Sequence, residues 1–210
     1  MISPASQHRA KCEVVNASPM AKVGAIPQKA LMIASLEADI ARLKLERSLR
    51  DRISLKRQWL PKYREYLQNC LIQPRSGHNE SFVVLCIWAS DVHDWALFMP
   101  LAEYALKQGM NAPQNFKSPL PEVFLRDMAH EILKHPEPYL MVDYIAQLLE
   151  LTATDSITDS VRGKAYEAYA YALESTDVAR ALVLYRKAHE YGQSVTRKIK
   201  ALLKQLEGVS

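Results

Sequence analysis

Asp91, His93 and Asp94 open the stretch DVHDWALFMPLAEYALKQG (residues 91–109) and pose the first chemical question. Two carboxylates and an imidazole within one turn are donors of the kind that hold a divalent ion for phosphodiester hydrolysis. That chemistry needs two or three converging carboxylates around Mg²⁺, usually with a lysine near the scissile phosphate. Asp91 and Asp94 are three apart and would share a helix face. The competing explanation needs no metal: an Asp in front of a helical apolar run accepts hydrogen bonds from the free amides of the first turn. A second acidic set, Glu150, Asp155 and Asp159 with Lys164, also flanks a helix boundary, where Asp serves as a cap and is favoured by the helix dipole. No catalytic residue and no metal ligand is therefore assigned. Asp91, His93 and Asp94 are the residues that a metal-dependent endonuclease reading would use.

Other chemistries find less footing. The six histidines show neither HxxxH nor HExxH spacing, and His130 and His135 straddle the wrong interval for one helical face, which argues against zinc. There is no GxxxxGK[ST] phosphate loop and no GxGxxG turn, so ATP and dinucleotides have no visible seat and no cofactor is expected on this chain. Cys12, Cys70 and Cys86 form no CxxC spacing, and an odd count argues against a disulfide framework. The opening MISPASQHRAKCEVV lacks the apolar core of a signal peptide, and no run approaches the roughly 18 apolar residues that would span a bilayer. The expectation is a protein of the reducing cytoplasm without membrane contact.

Charge is more informative. The net charge is +4, yet residues 1–64 hold 13 Lys and Arg against 5 Asp and Glu, whereas residues 65–210 hold 14 against 18. The basic end carries Arg42, Lys44, Arg47, Arg50, Arg52, Lys56, Arg57, Lys62 and Arg64. Such side chains contact DNA phosphates and supply affinity without sequence discrimination. The alternative is a solvated coiled-coil face, because Glu37, Asp39, Glu46 and Asp51 are interspersed at pairing distances. Trp59, Trp88 and Trp95 and the Tyr-rich AYEAYAYALES (165–175) read as packing faces.

The elements that must position these residues are helical. Gly is scarce, and Ala, Leu, Glu, Lys and Arg dominate. Residues 1–28 carry Pro4, Pro19 and Pro27 and read as a flexible arm. Residues 30–58 contain no Pro or Gly, and Met32, Leu36, Ile40, Leu43, Leu49 and Ile53 recur at helical spacing, predicting one long coiled-coil-like helix. At about 1.5 Å per residue it would exceed roughly 40 Å and project from the body, so these six residues are expected to mediate oligomerisation. A short helix from Pro61 to Ile72 completes a basic unit at 29–73. Residues 80–210 read as a helical-repeat-like α domain. SFVVLCIWAS (81–90) is taken as helix because a lone strand cannot satisfy its backbone. Further helices are expected at 94–108, 121–135, 138–153, 159–174, 177–191 and 194–207. DWALFMPLAEYALKQG (94–109) and DVARALVLYRKAHEYG (177–192) share Asp94 with Asp177 and Gly109 with Gly192, the places of an N-cap and a left-handed C′ residue. The later segment, with Ala181, Tyr185 and Ala188, suggests a tetratricopeptide-like hairpin. The fold class expected is all-α: a long N-terminal helix, then a bundle of antiparallel helix pairs.

The opening MISPASQHR, the block IWASDVHDWALFMPLAEYALKQGMNAP with the following PEVFLRDMA, and LLELTATDSITDSVRGKAY occur in order and at matching spacing. Together they resemble the M-type small terminase subunit of temperate, cohesive-end tailed phages, whose members are described as the terminase endonuclease subunit. Where that family usually has Met-Pro, this chain has Ile157 and Thr158, and its usual Ala is Gly163. The resemblance implies a DNA-packaging role in the host cytoplasm, in which the subunit recognises the cohesive-end site on concatemeric DNA and directs its cleavage together with the large ATPase subunit. Mg²⁺ and ATP are then expected on the large subunit, and a homo-oligomeric ring is expected of the small one. Two other readings stay open: a metal-dependent endonuclease in its own right, and a helical-repeat adaptor that does not bind DNA.

Overall fold

A computed structural model describes residues 28–73 and 77–208, and all described secondary structure is helical. Apart from Gln28, the arm expected at 1–28 lies outside the described residues, as do the MISPASQHR opening and Cys12.

The run read as one long helix is two. Helix α1 spans Gln28–Leu45 and α2 spans Leu49–Trp59. Neither Pro nor Gly stops α1; side chains do. Glu46 Oε1 accepts the Ser48 amide at 2.9 Å, and Ser48 Oγ caps α2 by accepting the Asp51 amide at 3.2 Å. These bonds offer the backbone an alternative to continuing the helix. The chain then doubles back: the Tyr63 hydroxyl donates to Asp39 at 2.7 Å, and Arg42 lies over the Trp59 ring at 5.4 Å. The consequence is a hairpin with its tip at 45–49, in place of a projecting rod.

A 3₁₀ turn, Leu60–Tyr63, leads into α3, Arg64–Ile72. Helix α4, Glu80–Asp91, bears out the helical reading of SFVVLCIWAS; Phe82, Val83, Leu85, Cys86 and Ala89 are fully buried, which explains why the stretch shows no polar face. Packed against α2, α3 and the 3₁₀ turn on one side and against α5 (Trp95–Lys107) and α6 (Leu120–Ile132) on the other, α4 is the hub of the fold. Trp59, Leu60, Tyr63 and Leu67 belong to the same hydrophobic core as α4. A second 3₁₀ turn, Pro138–Met141, precedes α7, Val142–Leu151.

Helix α8, Asp159–Leu173, and α9, Val178–Glu190, form the most extensively packed pair, and α10, Thr196–Glu207, covers α9. The small buried residues Ala168, Ala172, Ala181 and Ala188 allow the close approach of α8 and α9. At Gly163 a Cβ would lie 2.8 Å from Tyr191 Cβ, so the start of α8 meets the end of α9 where only Gly fits without adjustment. Arg162, 9% exposed, donates to the Thr152 and Asp155 carbonyls, both at 3.0 Å, closing the end of α7 onto α8. Glu122 accepts the Ser118 hydroxyl at 2.8 Å and the Thr158 amide at 3.2 Å, tying α6 to the same joint. Burial would raise the Glu122 pKa, but those hydrogen bonds outweigh it and hold the carboxyl below its ordinary value. The third resembling block, LLELTATDSITDSVRGKAY, is thus largely a structural joint.

Candidate functional site: the Asp91–Asp94 turn and the cationic hairpin

Helix α4 ends in a double hydrogen-bonded turn. The Asp94 amide donates to the Ala89 carbonyl and the His93 amide to the Ser90 carbonyl, each at 3.0 Å, which is the Schellman pattern with His93 as the left-handed residue. His93 has φ 61°, a conformation that costs a non-glycine residue about 1–2 kcal/mol. Its ring stacks on Trp95, centroids 5.8 Å apart, and Nε2 approaches Glu131 Oε2 at 3.3 Å. Asp94 closes that turn and opens α5: Oδ1 accepts the Leu97 amide at 3.1 Å, and Oδ2 pairs with Arg64 at 2.6 Å. Asp177 caps α9 in the same way through the Arg180 amide at 2.9 Å, and Gly109 and Gly192 both adopt positive φ, 60° and 85°. The two similar segments therefore share one cap-to-cap construction.

Asp91 pairs with Lys56 at 2.5 Å. The three sequence-adjacent residues thus point to three partners, Lys56, Glu131 and Arg64. Among the described residues no group of three or more His, Cys, Asp and Glu is arranged to hold a metal ion. The second acidic set is dispersed as well: Asp155 gives its carbonyl to Arg162, Asp159 begins α8, and Lys164 pairs with Glu167. One neighbour of the turn escaped the sequence reading. Burial, opposed by Arg126 and reinforced by the charge of Asp91, raises the Asp127 carboxyl above its ordinary value. Asp127 and Glu131 lie four apart on α6, a spacing that could have flagged a shared face turned toward α4.

The nine basic residues divide into two groups of four, with Arg42 apart from both. Lys56 is only 13% exposed and bound to Asp91, Lys62 is bound to Asp39, Arg64 to Asp94, and Arg57 donates to the Val92 carbonyl at 3.4 Å. Burial pulls the Lys62 ammonium down, but its hydrogen bond to Asp39 helps outweigh that and its pKa ends raised. These four clamp α2 and α3 onto the rest of the fold. Arg42 rests on Trp59. Lys44, Arg47, Arg50 and Arg52 are exposed around the hairpin tip, and among the described residues no hydrogen bond or ion pair engages their side chains. Of the six residues expected at an oligomer contact, Leu36 and Leu43 are buried, Met32, Ile40 and Ile53 pack against the core, and Leu49 is 69% exposed. Five of the six thus lie in or against the core of the single chain, and Leu49 stands at its surface.

Fold and surface together define an all-helical protein whose most distinctive exposed feature is a cationic hairpin tip. The family model for the phage small terminase subunit matches residues 33–160, and the chain belongs to that family. It is 27% identical over 217 residues, spanning 99% of this chain and 87% of the relative, to the protein of Escherichia phage P2 described as "Terminase, endonuclease subunit". No solved structure matches. The family read from the three sequence blocks is thereby borne out. No described helix is long and apolar enough to cross a membrane.

Proposed function

We propose that this chain is the DNA-contacting small subunit of a packaging terminase. It engages the cohesive-end site on concatemeric phage DNA, and with the large ATPase subunit it directs cleavage and packaging in the host cytoplasm. The observation that carries the reading is the hairpin tip, where Lys44, Arg47, Arg50 and Arg52 stand exposed with no ion pair among the described residues, within a family whose name implies DNA packaging. Cations left without acidic partners release counterions when they meet phosphates, which drives binding to duplex DNA. A homo-oligomeric ring belongs to the same proposal; Leu49 and the neighbouring Leu45, 84% exposed, are apolar surface at the tip available to a second copy. Mg²⁺ and ATP are assigned to the large subunit.

The experiment is to incubate cohesive-end DNA and Mg²⁺ with the purified chain alone and with its large subunit plus ATP, scoring binding and cutting separately. Binding by the chain alone, with cutting only in the complex, supports the proposal. Absence of any DNA shift at low salt, with large-subunit binding retained, sinks it in favour of an adaptor. Cutting by the chain alone favours the endonuclease reading, which rests on the description of the phage P2 relative as an endonuclease subunit.

A further inference from the structure

The charge of the chain has three zones, not two. Residues 177–210 hold 7 Lys and Arg against 3 Asp and Glu, and the intervening residues 65–176 hold 7 against 15. A second basic pole therefore lies at the C-terminal end, beyond the residues 33–160 that the family model matches. Part of it is neutralised or held on aromatic rings: Lys198 pairs with Glu174 at 2.8 Å, Arg180 lies over Tyr169 at 5.2 Å and Lys187 over Tyr166 at 5.0 Å. The rest is concentrated on α10.

Helix α10 seats itself with Val195 and Leu202 buried and Ile199, Leu203 and Leu206 packed against the core. Arg197, Lys200 and Lys204 follow the i, i+3, i+7 spacing of one helical face, which is the face opposite those apolar residues. All three are exposed, and among the described residues none of them has a hydrogen bond or ion pair. The single acidic residue of α10, Glu207, comes after them and pairs with none of them. Their placement also runs against local stability. Arg197 and Lys198 stand at the start of the helix, at the positive end of its dipole, and the first turn contains no acidic residue and no side-chain cap. A helix optimised only for its own stability would carry carboxylates there.

We propose that the Arg197, Lys200 and Lys204 face of α10 is a second DNA-backbone contact, separate from the hairpin tip. The stripe is about 10 Å long at roughly 1.5 Å per residue, comparable with the roughly 12 Å width of the major groove, so its ends can meet phosphates on both sides of a groove. One subunit then holds duplex DNA at two cationic surfaces with an acidic body between them. The inference rests on the reading that the chain binds duplex DNA.

The test measures affinity for a short duplex DNA by fluorescence anisotropy across roughly 50 to 200 mM salt. It compares the full chain with an R197Q/K200Q/K204Q variant and a K44Q/R47Q/R50Q/R52Q variant. The α10 variant is expected to lower the log–log salt slope by about 2 to 3, near 0.9 per lost phosphate contact, and to weaken binding at low salt by about tenfold or more. An unchanged slope overturns the proposal; if the hairpin variant is weakened at the same time, the function proposed above still stands. An unmodified chain that fails to bind overturns both. A charge-preserving R197K/K204R variant should keep the slope; if it loses binding to the same extent, the effect is structural and the second surface is refuted.

Discussion

Asp94 separates capping from chemistry by two substitutions. Its carboxylate caps α5 through the Leu97 amide and pairs with Arg64, whose side chain is 48% exposed. Loss of an Asp cap costs about 1 kcal/mol, in a range of roughly 0.5–2, whereas Asn caps about as well as Asp. A half-exposed ion pair adds about 0.2–1 kcal/mol after solvent screening. Asp94→Ala loses both and should cost about 1–3 kcal/mol; Asp94→Asn keeps the cap and should cost about 0.2–1 kcal/mol. For a chain of this size one kcal/mol corresponds to roughly 2–4 °C, so Tm should fall by about 2–12 °C for Ala and by no more than about 4 °C for Asn. Asp177 is the internal control. Its cap to the Arg180 amide carries no ion pair among the described residues, so Asp177→Asn should be nearly neutral and Asp177→Ala should cost the cap alone. Thermal unfolding gives the Tm values, and cohesive-end cutting by the complete terminase gives the chemistry. The capping account expects Asp94→Asn to cut as the parent does. Loss of cutting at unchanged Tm would show that the carboxylate acts on the reaction and refute that account.

Three further outcomes follow from the joints. Arg162→Met removes a buried cation that donates to two carbonyls; because Thr152 keeps the Asp155 amide as a partner, the cost should be about 2 kcal/mol, or a Tm loss of roughly 4–8 °C by calorimetry. Gly163→Ala gains a little helix propensity but drives a methyl into Tyr191 Cβ, for a net loss of about 1–2 kcal/mol in urea unfolding. Asp127→Asn should raise Tm at neutral pH. The folded carboxyl has a raised pKa, so the native state holds the extra proton and loses stability as pH rises through that value. The advantage of the Asn variant should therefore shrink as pH falls through the raised pKa and vanish below the ordinary value of 3.8, as a pH series of melts would show.

What the sequence made legible was local. Asp94 and Gly109, or Asp177 and Gly192, mark helix ends because a cap needs only a side chain and the next few amides. The break after α1 was equally local but was carried by Glu46, Ser48 and Asp51 without the Pro or Gly that usually announces a stop. Without that break the run reads as a projecting rod; with it the chain folds back, and Leu36 and Leu43 are buried within the single chain. The neutralisation of Lys56, Arg64 and the Tyr63 region could not be read, because their partners lie 35, 30 and 24 residues away. Charge counting sees cations; only the fold shows which of them already have an anion. The same limit left Asp91 and His93 looking like donors to a common ion, when Lys56 and Glu131, from two other helices, hold them apart.

The central claim, that the hairpin tip contacts DNA, is tested most directly by the salt dependence of duplex binding for the full chain and its K44Q/R47Q/R50Q/R52Q variant. If all four side chains meet phosphates, the variant should lose about 3 to 4 units of log–log slope and bind far more weakly at low salt, with its Tm unchanged. Equal slopes and equal affinities for the two proteins would contradict the account.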